Sequence, residues 1–231
     1  MKFFVLKNSI NINLIGAYPQ VIETYNADYI KKQKWAYKEE GCISLPSLPE
    51  LVLDPEAGFT TFLNTAGKTP AGSRVFEKSF IEFLKGFKTQ EFQSWNILTH
   101  QNKRTIEGYS LFRLCYQNKE YILDYKNSVF YFPSRYHHFT DKTNRTYVEI
   151  NNNEDYEKLQ KEKKIFYPEK LRIDLSKVTD DLFIMGHHTN IPEYIVSEKL
   201  KDAIKKHEKF TGFRFVEIKD RFNKEMVDFK Y

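Results

Sequence analysis

The stretch that decides the fold runs from Asp181 to Ile218: DLFIMGHHTNIPEYIVSEKLKDAIKKHEKFTGFRFVEI. Its pattern predicts a strand, a loop, an amphipathic helix, a turn and a second strand. One face of the predicted helix is formed by residues spaced i, i+3, i+4 and i+7: Leu200, Ala203, Ile204 and His207. Ser197 can cap the first turn, and Gly212 suits the left-handed conformation that follows many helices. The residues from Phe213 onward alternate as in a half-buried strand.

The same pattern occurs earlier in the chain, in the stretch VFEKSFIEFLKGFKTQEFQSWNI from Val75 to Ile97. When Val75-Phe76 is aligned with Ile195-Val196, no gap is needed through the helix. The matched positions, with a shift of one residue before Phe92, are Phe80 with Leu200, Phe83 with Ala203, Leu84 with Ile204, Phe87 with His207, Phe92 with Phe213, Trp95 with Val216 and Ile97 with Ile218. We predict two copies of one supersecondary unit. Chance is the alternative, because amphipathic helices share this spacing.

Length and composition favour an ordered α+β protein. The 231 residues include 20 Phe and 15 Tyr, enough bulky side chains to form a substantial core. We expect an antiparallel or mixed sheet with a few packed helices, and the recurring pattern allows an arrangement as two helix–strand pseudo-repeats. The expected organisation is a single domain over residues 1–231. A subregion at 1–72 is the alternative, because Pro and Gly are dense just before residue 75.

The charge and the cysteines indicate the compartment and the class of partner. The formal net charge is +5, and acidic and basic residues are interleaved. A solvated, lysine-rich surface is more typical of this pattern than a nucleic-acid-binding face. No signal peptide and no membrane-spanning segment is expected. Two distant cysteines without a motif are typical of reduced packing residues, so we expect a cytoplasmic protein without a membrane partner.

No set of residues predicts catalysis, a cofactor or a metal site. Adjacent histidines on a strand point to opposite faces, and no HExxH or CxxC motif accompanies them. Cys115 lies in an apolar strand, where a thiol is inert. Asp124 interrupts an apolar run, and a turn or strand-end cap is its favoured interpretation over a catalytic carboxylate. Gly67-Lys-Thr69 lacks the earlier glycine of a phosphate-binding loop.

Several motifs resemble a family of immunity proteins from bacterial polymorphic toxin systems, immunity family eleven. The motifs in the C-terminal part are Asp181-Leu-Phe183, Ile195-Val-Ser197-Glu-Lys-Leu200 and Thr211-Gly-Phe213-Arg-Phe215. Those in the middle are Val75 to Leu84, Phe92-Gln93, and Ile122-Leu-Asp124-Tyr125 followed by Ser128 and Phe130. The resemblance spans roughly residues 75 to 218. The earlier unit departs from the pattern, because Glu77 stands where the later unit has Ser197.

This resemblance implies a cytoplasmic binding protein, not an enzyme, that neutralises a cognate toxin domain by protein–protein contact. It carries over no binding residue, no cofactor and no oligomeric state. Loops often carry recognition, so our candidate partner-binding residues are Tyr136, His137, His138, His187 and His188, with mobile loops that bind nothing as the alternative. The basic net charge favours a toxin without a basic nucleic-acid-binding cleft. The rival hypothesis is a basic nucleic-acid-binding module, and a continuous Lys/Arg face would favour it.

Overall fold

The computed structural model describes residues 2–26, 41, 44–45, 47–70, 72–117, 122–133, 145–162, 164–185, 193–221 and 227–230. The contacts group the chain into two compact units. The larger unit contains residues 2–118 and 179–217. The smaller unit contains residues 119–178 and 218–231, with Met1. The expectation of a single domain with a subregion at 1–72 stays a prediction.

The described strands, numbered along the chain, are β1 (Phe3–Asn8), β2 (Val21–Tyr25), β3 (Glu50–Leu53), β4 (Phe62–Leu63), β5 (Ser73–Glu77), β6 (Phe92–Asn96), β7 (Leu98–Gln101), β8 (Arg104–Ile106), β9 (Tyr109–Leu114), β10 (Val129–Phe132), β11 (Thr146–Val148), β12 (Tyr167–Asp174), β13 (Leu182–Ile184), β14 (Tyr194–Ser197), β15 (Phe213–Glu217) and β16 (Val227–Lys230). The helices are α1 (Ile12–Ile15), α2 (Lys78–Leu84), α3 (Asn153–Lys161), α4 (Glu198–Lys206) and α5 (Ile218–Arg221). A 3₁₀ turn covers Tyr125–Asn127. The predicted α+β class is confirmed.

Two sheets of the larger unit have the same connectivity, with strand orders β4-β5-β9-β6 and β13-β14-β1-β15. In each sheet the second strand of an antiparallel pair runs directly into a helix. The strand after the helix then lies on the far side of a middle strand. Phe76 pairs with Phe62, and Val196 pairs with Leu182, so the alignment of Val75-Phe76 with Ile195-Val196 is confirmed by the register.

The middle strands of these two sheets are exchanged along the chain. Strand β1 precedes β4 in sequence but pairs with β14 and β15, whereas β9 pairs with β5 and β6. The two middle strands end in equivalent bonds: Ser9 N–H donates to Gly212 O at 2.8 Å, and Cys115 N–H donates to Glu91 O at 2.7 Å. The larger unit is therefore a duplication. Its first half contains β1, β4, β5, α2 and β6, and its second half contains β9, β13, β14, α4 and β15. The first strand of each half, β1 or β9, pairs with strands of the other half.

One hydrophobic core joins the two halves. Pseudo-equivalent residues from both sheets and both helices belong to it: Leu6 and Phe112, Phe62 and Leu182, Phe76 and Val196, Phe80 and Leu200, and Leu84 and Ile204. All ten of these side chains are buried. Their burial explains why the apolar spacing recurs twice in the sequence, since each half covers the other.

Two details of the predicted second unit are corrected by the structure. Helix α4 ends at Lys206 with His207 as its C-cap, so His207 lies after the helix and not on its face. Gly212 does adopt a positive φ of 85°, but in the turn before β15 and not at the helix end. A Cβ there would lie 2.6 Å from Phe62 O, so a close backbone approach requires this glycine.

The remaining sheet of the larger unit has the order β2-β3-β7-β8. It is mixed, because β3 and β7 are parallel. Its inner side contributes Val21, Leu51 and Leu53 to a second hydrophobic cluster with Leu63 and Leu111. This cluster connects β2, β3 and the loops beside them to the duplicated sheets.

The smaller unit contains the sheet β11-β10-β12-β16, in which β12 and β16 are parallel. Helix α3 begins after Asn152, whose side chain accepts from Asp155 N–H at 2.9 Å. Its buried Tyr156 contacts the ring of Phe166 with centroids 4.9 Å apart. Asp124 caps the 3₁₀ turn by accepting from Asn127 N–H at 3.2 Å, which confirms its interpretation as a turn residue.

Candidate interaction surface

The predicted partner-binding residues lie outside the described part of the chain. Tyr136, His137 and His138 fall in the gap at 134–144, and His187 and His188 fall in the gap at 186–192. Their role stays a prediction.

Cys115 and Asp181, whose side chains are of types that can take part in catalysis, have structural roles. Cys115 is fully buried, as its apolar strand predicted. Among the described residues no group of three or more His, Cys, Asp and Glu side chains could hold a metal ion. Asp181 is a buried carboxylate that accepts several hydrogen bonds. Burial acts to raise its pKa, but hydrogen bonds from Ser197, Lys199 and Lys88 N–H outweigh that effect and hold the pKa below its usual value.

Asp181 connects the two halves of the duplication. Its carboxylate accepts from Ser197 Oγ at 2.7 Å, and Ser197 Oγ in turn caps α4 by accepting from Leu200 N–H at 3.1 Å. It also accepts from Lys88 N–H at 3.2 Å, in the loop after α2. Thr61 is its pseudo-equivalent and donates to Glu77 at 3.0 Å. Asp181 therefore acts in folding, and its place in the quoted motif has a structural explanation.

Three lysines of α4 lie near aromatic rings: Lys199, Lys201 and Lys205. The ammonium of Lys201 lies 4.0 Å from the ring centroid of Phe4, and that of Lys199 lies 5.2 Å from the ring of Phe87. Lys201 also pairs with Asp202 at 3.2 Å. These contacts match lysine stems that cover the edge of an aromatic core. They supply no specific support for the nucleic-acid-binding hypothesis.

The most distinctive surface of the described residues is apolar. Five large side chains protrude around α1 and the loop before β4. We call them the apolar platform, and their exposed fractions are 56% for Ile10, 52% for Ile12, 39% for Leu14, 59% for Tyr18 and 57% for Phe59. Single exposed apolar residues are common, whereas contiguous apolar patches are typical of interaction surfaces, so we take this group as the candidate site.

Backbone contacts hold the two segments of the platform together. Gly58 N–H donates to Ile15 O at 2.8 Å, which places Phe59 beside α1. Gly16 has a φ of +72°, and a Cβ on it would lie 1.9 Å from Glu56 O. A side chain at Gly16 would push the two segments apart. The glycine is therefore required both for the turn and for the close approach.

Hydrogen bonds from a buried glutamine hold the backbone of the same region in place on its interior side. Gln20 is fully buried, and its Nε2 donates to Gly58 O at 2.7 Å. Its Oε1 accepts from Asn64 N–H at 2.9 Å. Asp54 N–H donates to Gln20 O at 2.8 Å. The apolar side chains are thus carried by a backbone that hydrogen bonds within this chain hold in place.

A sequence signal for this surface exists, although the predicted partner-binding residues in the histidine-containing loops do not include it. Residues 8–22 and 57–67 contain no charged residue, in a chain whose charged fraction is 29%. The platform side chains come from these two uncharged stretches. Exposed side chains are commonly surrounded by charged residues, so the lack of charge beside these exposed apolar side chains is the sequence signal for a candidate interaction surface.

The described part of the chain contains no helix long and apolar enough to cross a membrane. Compared with known proteins, the chain matches no protein-family model, and no curated protein matches it. The functional interpretation therefore depends on the quoted motifs and on the geometry of the apolar platform.

Proposed function

We propose that this protein is an immunity protein that binds a cognate bacterial toxin domain and neutralises it in the cytoplasm. The observation that carries the proposal is the apolar platform, an exposed apolar surface on a fixed backbone. The resemblance of the quoted motifs to immunity family eleven supports the same class of function. Binding, without catalysis by this chain, is the proposed mode of action.

The physical properties of the platform suit a preformed interface. Binding energy is concentrated in a few buried aromatic and aliphatic anchors, and Tyr18 and Phe59 are side chains of this type. The hydrogen bonds of Gln20 and the close approach at Gly16 order the backbone before binding. Less conformational entropy is then lost on association.

The proposed mechanism is occlusion or distortion of the toxin's active site. A standard protein interface buries about 1,600 Å² in total, so the platform would form its centre and neighbouring polar residues its rim. The predicted loop residues at 136–138 and 187–188 are candidates for additional contacts.

Co-expression tests this proposal. The chain is produced together with the protein encoded immediately upstream, and growth and co-purification are scored. The wild type should restore growth and form a stable complex. The variant Tyr18→Ser/Phe59→Ser should do neither, whereas Ile165→Ser, which replaces an isoleucine that is 67% exposed in the smaller unit, should behave as wild type.

Two results would contradict the proposal. Persistent toxicity without a complex would show that this chain does not neutralise the upstream-encoded protein. Tight, steeply salt-dependent binding of the wild type to single-stranded oligonucleotides would instead establish the nucleic-acid-binding hypothesis.

A further inference from the structure

We draw no further inference here: the strongest candidate, the side-chain cluster of Glu50, His100 and Thr105 on the adjacent strands β3, β7 and β8, carries nothing because its two 3.3 Å hydrogen bonds are explained as cross-strand contacts of the sheet, and the described residues add no third metal ligand to it.

Discussion

Replacing Asp181 should weaken the contacts between the two halves of the duplication and lower the free energy of unfolding. In Asp181→Ala, the Ser197 hydroxyl and the Lys88 N–H lose a buried charged acceptor. Each buried donor that is left without an acceptor lowers the free energy of unfolding by about 1–3 kcal/mol. The Lys199 ammonium, whose side chain is 67% exposed, adds only about 0–1 kcal/mol because water screens the pair. These bonds share one carboxylate and are not additive, so we expect a loss of about 3 kcal/mol in the free energy of unfolding.

Urea denaturation at pH 7 measures this loss, with three comparison variants. Asp181→Asn keeps an acceptor for Ser197 and should lose about 1–2 kcal/mol. Thr61→Val, at the pseudo-equivalent position, removes bonds to Glu77 and to Thr211 N–H and should also lose about 1–2 kcal/mol. Ser79→Ala removes only an exposed, 3.4 Å bond and should stay within about 0.5 kcal/mol of wild type.

The pH dependence supplies a second readout. The pKa of Asp181 is lower in the folded protein than in the unfolded chain. The stability that its charge contributes is therefore present above the unfolded pKa of about 3.9 and is lost as pH falls through the folded pKa. The difference between wild type and Asp181→Asn should shrink below about pH 4. A loss under about 0.5 kcal/mol in Asp181→Ala at pH 7 would refute this account of the contacts between the two halves.

Three further predictions test the geometry of the larger unit. Gly16→Ala should lower the free energy of unfolding by about 3 kcal/mol or more, because it adds a clash with Glu56 O to the backbone strain. Gly67 has a φ of +80° and open space around it, so Gly67→Ala should lower it by only about 1 kcal/mol. Equal losses of the two variants in thermal unfolding would contradict the close approach at Gly16. Gln20→Leu should cost about 2–4 kcal/mol in urea unfolding, since Asn64 N–H and Gly58 O lose their buried partner. Burial raises the pKa of Tyr194 to about 12, so the stability it contributes is complete below its ordinary value of 10.0 and is lost as pH rises through the folded value. Spectroscopic titration should therefore show that Tyr194→Phe lacks a phenol that ionises near pH 12, and the loss of a phenol that ionises near pH 10 would contradict its burial.

The duplicated core was predictable because its signal is local and repeated. Helical spacing in Val75–Ile97 and in Asp181–Ile218 records which side chains each half buries, so the alignment of the two stretches matches the observed register. The ends of the elements were less predictable. Gly212 suggested a helix end, but its positive φ serves the close approach to Phe62 O, which is a contact between distant segments.

The exchange of β1 and β9 could not be read from the sequence. Both strands are short and apolar, so their sequences do not indicate which sheet each one joins. Their pairing is determined by contacts between residues far apart in the chain. The apolar platform was equally hidden, because the segment that carries Phe59 comes beside α1 only through contacts such as the Gly58 N–H to Ile15 O hydrogen bond. Their shared lack of charged neighbours was the one local sign.

The affinity of the complex between this protein and its upstream-encoded partner tests the central claim most directly. Isothermal titration calorimetry should compare wild type, Tyr18→Ser/Phe59→Ser and Ile165→Ser, each first shown to unfold at the same temperature as wild type within a few degrees. If the platform is the toxin-binding surface, the double variant should bind about 100-fold more weakly, or about 2.7 kcal/mol, and Ile165→Ser should match wild type. Equal affinity of all three proteins would show that the toxin binds elsewhere and would contradict the account.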